Sequence, residues 1–303
     1  MTRYRQGKYS NDPVGPGRIR RIVSRLPPGF SVHGTGRALT VTRTWRVRNV
    51  ARGHHAVHFP NGSNRARPLS GDSGLIPQRT IMHIQVVQDI VCPWCRIGKH
   101  NLDDAITQYR QQHDDEVTVE WVPFLLDPVE PGSKEPFKQR LAERKGMSEP
   151  QIDGMFTRVC EAGQACGIDF NFDKVGVAVD TIPSHQLIAL APPEKQEAVL
   201  DALHAAYFEH GKDIGEPAVL EAIARAVGMD DETLGFARET WQSADARRAI
   251  LDVITQVQQA GITGVPFFIF DGALAASGAQ PAGTLLEAMN QAREMAPVGA
   301  EAN

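Results

Sequence analysis

Cys92 and Cys95, in the run Val91-Cys92-Pro93-Trp94-Cys95, are two thiols with two residues between them. Such a pair can close a disulfide and exchange it with another molecule. The thiolate, not the thiol, attacks a disulfide sulfur. A helix N-terminus favours that thiolate, because unsatisfied N–H groups and the positive end of the dipole meet the sulfur there. Two other readings share this spacing: half of a zinc site, and surface cysteines brought together by chance. A structural zinc site wants a second such pair, whereas Cys160 and Cys166 have five residues between them and His100 completes a set on paper only. Redox use is the preferred reading, and no metal is expected.

The flanking residues must place the first sulfur at a helix start. Ile84 to Val91 is β-branched and half alternating, so it reads as a strand. From Pro93 onward Ile97, Leu102, Ala105, Ile106 and Tyr109 make an apolar stripe at helical spacing. Pro93 suits the first turn, where its missing N–H has no intrahelical partner to lose. Glu116 to Trp121 alternates as a second strand, broken by Pro123 and the cluster Asp127 to Gly132. From about 135 to 260 the chain reads as helix after helix. Stripes through Leu200 to Tyr207, Leu220 to Val227 and Ile250 to Val257 are stopped by Gly211, Gly228 and Gly261. Pro266 to Phe270 returns to strand character, Asp271-Gly272 signals a hairpin into Ala273 to Ala276, and a helix with Leu285, Leu286 and Met289 closes the pattern. The order is β-α-β, a helical block, then β-β-α. It predicts an α/β protein with a thioredoxin fold and an all-helical domain inserted in the middle: residues 82–130 and 262–295 form the thioredoxin-like domain, and 131–261 the insertion.

Composition bounds the rest. The 303 residues are 42% hydrophobic, with no run long enough to cross a membrane. The first thirty residues lack a continuous apolar core, and four cysteines do not make a disulfide scaffold. A cytoplasmic protein is expected, with no membrane partner. The net charge of −4 hides an asymmetry: residues 1–81 carry fifteen Lys and Arg against Asp12 and Asp72, a net of +13, and the remainder carries −17. The basic segment, rich in Gly, Pro, His and Ser, reads as a disordered N-terminal extension or a mis-assigned start, with a compact domain beginning near Met82. Nucleic-acid binding and organellar targeting are the lesser alternatives. Val41 to Val50 is a candidate strand with nothing nearby to pair with it.

The two terminal motifs are Asp89-Ile90-Val91-Cys92-Pro93-Trp94-Cys95-Arg96-Ile97-Gly98-Lys99 and Gly264-Val265-Pro266-Phe267-Phe268-Ile269-Phe270-Asp271-Gly272 followed by Ser277-Gly278-Ala279-Gln280. Together with Gly167-Ile168-Asp169-Phe170 and Tyr207 to Gly215, they resemble the DsbA family of thioredoxin-fold oxidoreductases, most closely its cytoplasmic FrnE-like branch, over about residues 82–295. The resemblance implies a thiol-disulfide oxidoreductase in which Cys92 attacks and Cys95 resolves, with Cys92 the more exposed. It implies a cis peptide bond before Pro266, leaving the Val265 backbone to pair with an extended substrate. Trp94 either contacts substrate and shields the disulfide, or packs on the domain surface. The expected partners are disulfide- or thiol-bearing proteins or small molecules. No cofactor is implied beyond the cysteine pair, with a low-molecular-weight thiol such as glutathione as a possible co-reactant. The rival reading is a glutathione-dependent isomerase or transferase of the 2-hydroxychromene-2-carboxylate isomerase or kappa-class type. Those proteins share the layout but typically carry Ser at the position of Cys92 and lack the resolving cysteine.

Four other positions carry weaker expectations. Lys99 reads as a solvated helix residue, with support of a Cys92 thiolate as the lesser alternative, and Asp89 as a strand-end cap or a proton relay to Cys95. Cys160 and Cys166 read as core cysteines of a helix from Gln151 to Cys166, which separates them by about 9 Å in rise alone; a second redox pair is the lesser alternative. His185 starts an inserted helix and either lines the groove facing Cys92 or is structural.

Overall fold

The structure is a computed structural model that describes residues 30–33, 40–43 and 81–295. Phe30–His33 (β1) and Thr40–Arg43 (β2) belong to a unit of their own and pair antiparallel, Val32 opposite Val41. The candidate strand at Val41 is thus corrected. It begins at Thr40 and its partner strand begins ten residues upstream at Phe30; the signal for a hairpin is the Gly34 and Gly36 between two alternating runs. The other expectations about the basic segment lie outside the described residues.

The second unit holds a four-stranded sheet. Ile81–Gln88 (β3) leads through Pro93–Gln112 (α1) to Glu116–Pro123 (β4), which pairs with β3 in parallel. Phe267–Phe270 (β5) pairs antiparallel with β3, Val87 opposite Phe267, and Leu274–Ser277 (β6) completes the order β4-β3-β5-β6. As the central strand, β3 is covered on both faces near its end, which explains the nearly unbroken apolar run there. Val86, Val87, Gln88, Asp89 and Ile90 are all buried. The closing helix Ala282–Met295 packs on α1 and on the hairpin. Its loop is pinned where Asn101 Nδ2 donates to the Gln280 carbonyl at 2.9 Å. This is the β-α-β and β-β-α frame read from the sequence.

Between the halves lie seven helices: Phe137–Lys145 (α2), Glu149–Gln164 (α3), Ile182–Leu190 (α4), Pro193–Phe208 (α5), Pro217–Ala226 (α6), Asp231–Trp241 (α7) and Ala244–Gln259 (α8); the closing helix is α9. One hydrophobic cluster runs from Met82, Tyr109 and Phe268 in the sheet half through Leu203 and Phe208 to Leu220 and Leu234 in the insertion. Phe156, Phe170, Phe172 and Phe208 stack or meet edge-on within it. The chain leaves α5 through Gly211, where φ is +63° and a Cβ would lie 2.0 Å from the Lys174 carbonyl oxygen. Only glycine fits so close an approach.

Candidate active site

β3 ends at Gln88, and the chain turns through Asp89, Ile90 and Val91 into α1. Cys92 is the residue capping that helix, in extended conformation, with Pro93 at the first turn. Its N–H donates to the Asp89 carbonyl, and the Cys95 N–H donates to the Cys92 carbonyl, both at 3.0 Å. No side-chain oxygen caps the helix and its first turn holds no acid. The Cys92 sulfur therefore occupies the place an N-cap oxygen would take, with no carboxylate in that turn to oppose an anion.

Both thiols are free and both are buried, Cys92 at 4% exposure and Cys95 at 3%. Cys92 is the more exposed of the two, as the resemblance implied, but by one percentage point only. The loop before β5 reaches across it, and the Cys92 thiol donates to the Val265 carbonyl over 3.7 Å. The Val265–Pro266 bond is cis, as the resemblance implied. Burial raises the Cys95 pKa well above the ordinary thiol range, and the hydrogen bond and charge of the adjacent Cys92 raise it further. Trp94, between the two cysteines, is 40% exposed.

Asp89 braces this turn. Its side chain is fully buried, with Oδ2 accepting from the Leu126 N–H at 2.7 Å while its backbone carbonyl holds Cys92. Oδ1 lies 3.5 Å from His185 Nε2, which also sits 3.1 Å from the Phe124 carbonyl. His185 is thus buried beneath the turn, the structural of its two readings. Gly98 fixes the opposite side: a Cβ there would fall 2.9 Å from Pro266 Cγ and 3.2 Å from Phe268 Cζ.

The solvated reading of Lys99 is corrected. It is buried and bound by Asp103, Glu197 and Asp201 at 2.7, 2.9 and 3.0 Å. Its partner at helical spacing was readable, but the two carboxylates from α5 were not. Its charge is met locally by three acids, which leaves little of it to act on Cys92. Sequence reasoning also passed over Arg96, which pairs with Glu209 and stands 5.6 Å over the Phe170 ring, tying α1 to the insertion. His204 lies buried on α5; burial first, then the charges of Arg96 and Lys99, push its pKa down to about 3. Cys160 and Cys166 are free and half-buried, packed against the edge of the hydrophobic core. α3 stops at Gln164, before Cys166, because the chain turns at Gly167 with φ +70°. The Cys160 thiol points to the Phe170 carbonyl and the Cys166 thiol to Asn101 Oδ1. Among the described residues no group of three or more His, Cys, Asp or Glu could hold a metal ion, and no helix is long and apolar enough to cross a membrane.

A family model for the DsbA-like thioredoxin domain matches residues 83–290. The uncharacterized protein YwbO of Bacillus subtilis (strain 168) is 28% identical over 190 residues, covering 62% of this chain and 86% of that one. Among solved structures, a probable DsbA oxidoreductase from Streptomyces coelicolor superposes with a TM-score of 0.62 at 28% identity. That match covers 71% of this chain and 91% of the other.

Proposed function

The chain belongs to the DsbA-like thioredoxin domain family, and on that premise we propose that it is a thiol-disulfide oxidoreductase working through the Cys92–Cys95 couple. The observation that carries the reading is the pairing of roles at one turn. Cys92 caps α1, where an anion is favoured, and Cys95 stands behind it with its proton held by burial. In the reducing direction the Cys92 thiolate attacks a substrate disulfide. A Cys92–substrate disulfide forms, and the other substrate sulfur leaves as a thiolate that takes up a proton. Cys95 then gives up its proton and attacks the Cys92 sulfur. The Cys92–Cys95 bond forms, the second substrate thiol departs, and two electrons have passed from protein to substrate. The oxidising direction is the same sequence reversed, and the two reduction potentials set which way it runs.

The substrates are disulfide- or thiol-bearing proteins or small molecules, met by Trp94 and by the backbone of Val265 beside Pro266. Within the family we assign the chain to the cytoplasmic FrnE-like branch, on the Cys-Pro-Trp-Cys-Arg-Ile-Gly-Lys motif and the sparse cysteine content. The test is a redox titration of the full chain across a glutathione series, trapping free thiols and counting them by intact mass. A two-thiol transition that disappears in Cys92→Ser supports the couple, and its midpoint separates an oxidant from a reductant. If Cys92 and Cys95 form no disulfide at any poise, the reading fails. Glutathione-dependent isomerase or transferase chemistry then takes its place.

A further inference from the structure

We propose that the recess beside Val91 is a substrate subsite that seats one large apolar side chain of a polypeptide carrying an acidic residue next to it. The proposal rests on the oxidoreductase reading of Cys92 and narrows its substrate class. The recess has a volume of about 180 Å³ and is walled chiefly by Val91, Leu126, Val129, Phe137, Leu141 and Tyr207. An apolar cavity of about 150 Å³ accommodates a benzene ring, so this space fits the side chain of Leu, Met or Phe. Glutathione carries no such group.

Its position ties it to the chemistry. Val91 immediately precedes Cys92, and Leu126 on the facing wall is fixed by its N–H bond to Asp89, whose carbonyl fixes Cys92. One buried residue thus sets the distance between the reacting sulfur and the recess. Of the four large apolar side chains left exposed among the described residues, Trp94 and Leu126 both border this turn. Exposed apolar surface concentrated at a reactive centre marks a contact site more often than chance scatter does.

Charge specifies the neighbour. The end of α2 places Arg144 and Lys145 in the lining. Asp127 meets Arg144 and Arg140, with Glu135 also on Arg140. Lys145 has no ion-pair partner among the described residues, so the rim carries a surplus positive charge. A carboxylate one or two residues from the apolar anchor would meet it.

The test uses the reduced full-length protein and short peptides whose single cysteine is held in a disulfide with 2-mercaptoethanol. Each peptide carries Leu or Ser beside the cysteine, and Glu or Lys next to that. Exchange rates are divided by the same protein's rate on hydroxyethyl disulfide. The Leu-Glu peptide is expected to react roughly tenfold faster than Ser-Glu, the scale of burying one such side chain. Leu126→Ser should collapse the Leu-over-Ser ratio toward one. Lys145→Glu, a surface change that leaves the fold alone, should reverse the Glu-over-Lys preference. Exchange without preference, or preferences that survive both substitutions, overturns the subsite while leaving the redox couple standing. No exchange with any disulfide overturns the oxidoreductase reading, and this proposal with it.

Discussion

Replacing Gly98 by Ala sets two effects of known size against each other. Gly98 lies inside α1, where Ala is favoured over Gly by about 0.8–1.0 kcal/mol in an unobstructed helix. The added methyl, however, would sit 2.9 Å from Pro266 Cγ and 3.2 Å from Phe268 Cζ, against a preferred carbon separation of about 3.5–4.0 Å. Phe268 is fully buried in β5 and the proline ring is stiff, so the strain falls on the loop before β5. Overpacking of this kind costs about 1–3 kcal/mol, and the clash wins: a net loss of about 1 kcal/mol is expected. For a domain of this size that lowers Tm by about 2–4 °C. Gly154→Ala in α3, where nothing lies within 4 Å of the new methyl, should gain about 1 kcal/mol instead. The same loop carries the Val265 carbonyl that meets Cys92. Exchange by Gly98→Ala at a temperature far below its Tm should therefore fall several-fold, since displacements near 1 Å can cost about a hundredfold. The assays are thermal unfolding of the two variants and stopped-flow exchange with a peptide disulfide. If Gly98→Ala is stabilised as much as Gly154→Ala, the reasoning is refuted: Pro266 would not be packed against α1.

Three further outcomes are expected. Burial pushes the Asp103 carboxyl up to about 6 in spite of its bond to Lys99. As pH falls from 7 toward 4 the folded state therefore takes up a proton that the unfolded state does not, and Asp103→Asn should remove a gain in stability seen over that window. His204 acts in the opposite sense. Its ring stays neutral when folded down to about pH 3 but charges near pH 6.5 when unfolded, so stability falls by up to about 1.4 kcal/mol per pH unit across that span. Urea unfolding of His204→Leu at pH 5 and pH 7 should show the larger gain at pH 5, and equal gains would contradict the burial argument. Asp89→Ala leaves the Leu126 N–H without its acceptor and should cost about 1–3 kcal/mol; an unchanged urea midpoint would mean that the brace between Leu126 and the Cys92 turn contributes nothing.

The junction at Cys92 was legible because the period of the apolar pattern changes there and Pro93 marks the start of the helix. The β5–β6 hairpin announced itself through Asp271-Gly272. What the sequence hid is of three kinds. Elements that bury nothing leave no stripe to read, and α2, with no fully buried residue, passed as part of an undivided helical block. Elements buried all round leave no alternation, so the sequence carries β3 on to Val91 where the strand ends at Gln88, because burial continues unbroken through Ile90. Partners far apart in the chain leave no spacing: Lys99 reads as solvated because Glu197 and Asp201 stand on α5, about a hundred residues away. The same blindness applied to Arg96 with Glu209, and to Asp89 with Leu126.

These hidden contacts divide the labour of the fold. The sheet half supplies what thiol exchange needs in general: a helix start for one sulfur, a buried place for the other, and the Val265 loop across them. Nothing in that set distinguishes one disulfide from another. The insertion supplies the distinguishing features, since α2 and Tyr207 of α5 wall the recess next to Cys92 and α5 neutralises Lys99. It could not do so as a loosely tethered lid, because its core is continuous with that of the sheet and its polar links to α1, Glu209 with Arg96 and the acids around Lys99, are partly buried. A recess built from both halves keeps its shape only while they stay locked. Loosening the lock through Arg96→Ala, which removes the Glu209 pair and the stacking on Phe170, should therefore erode selectivity among peptide disulfides before it erodes exchange itself. Parallel losses in both rates would instead mean that the insertion serves stability alone.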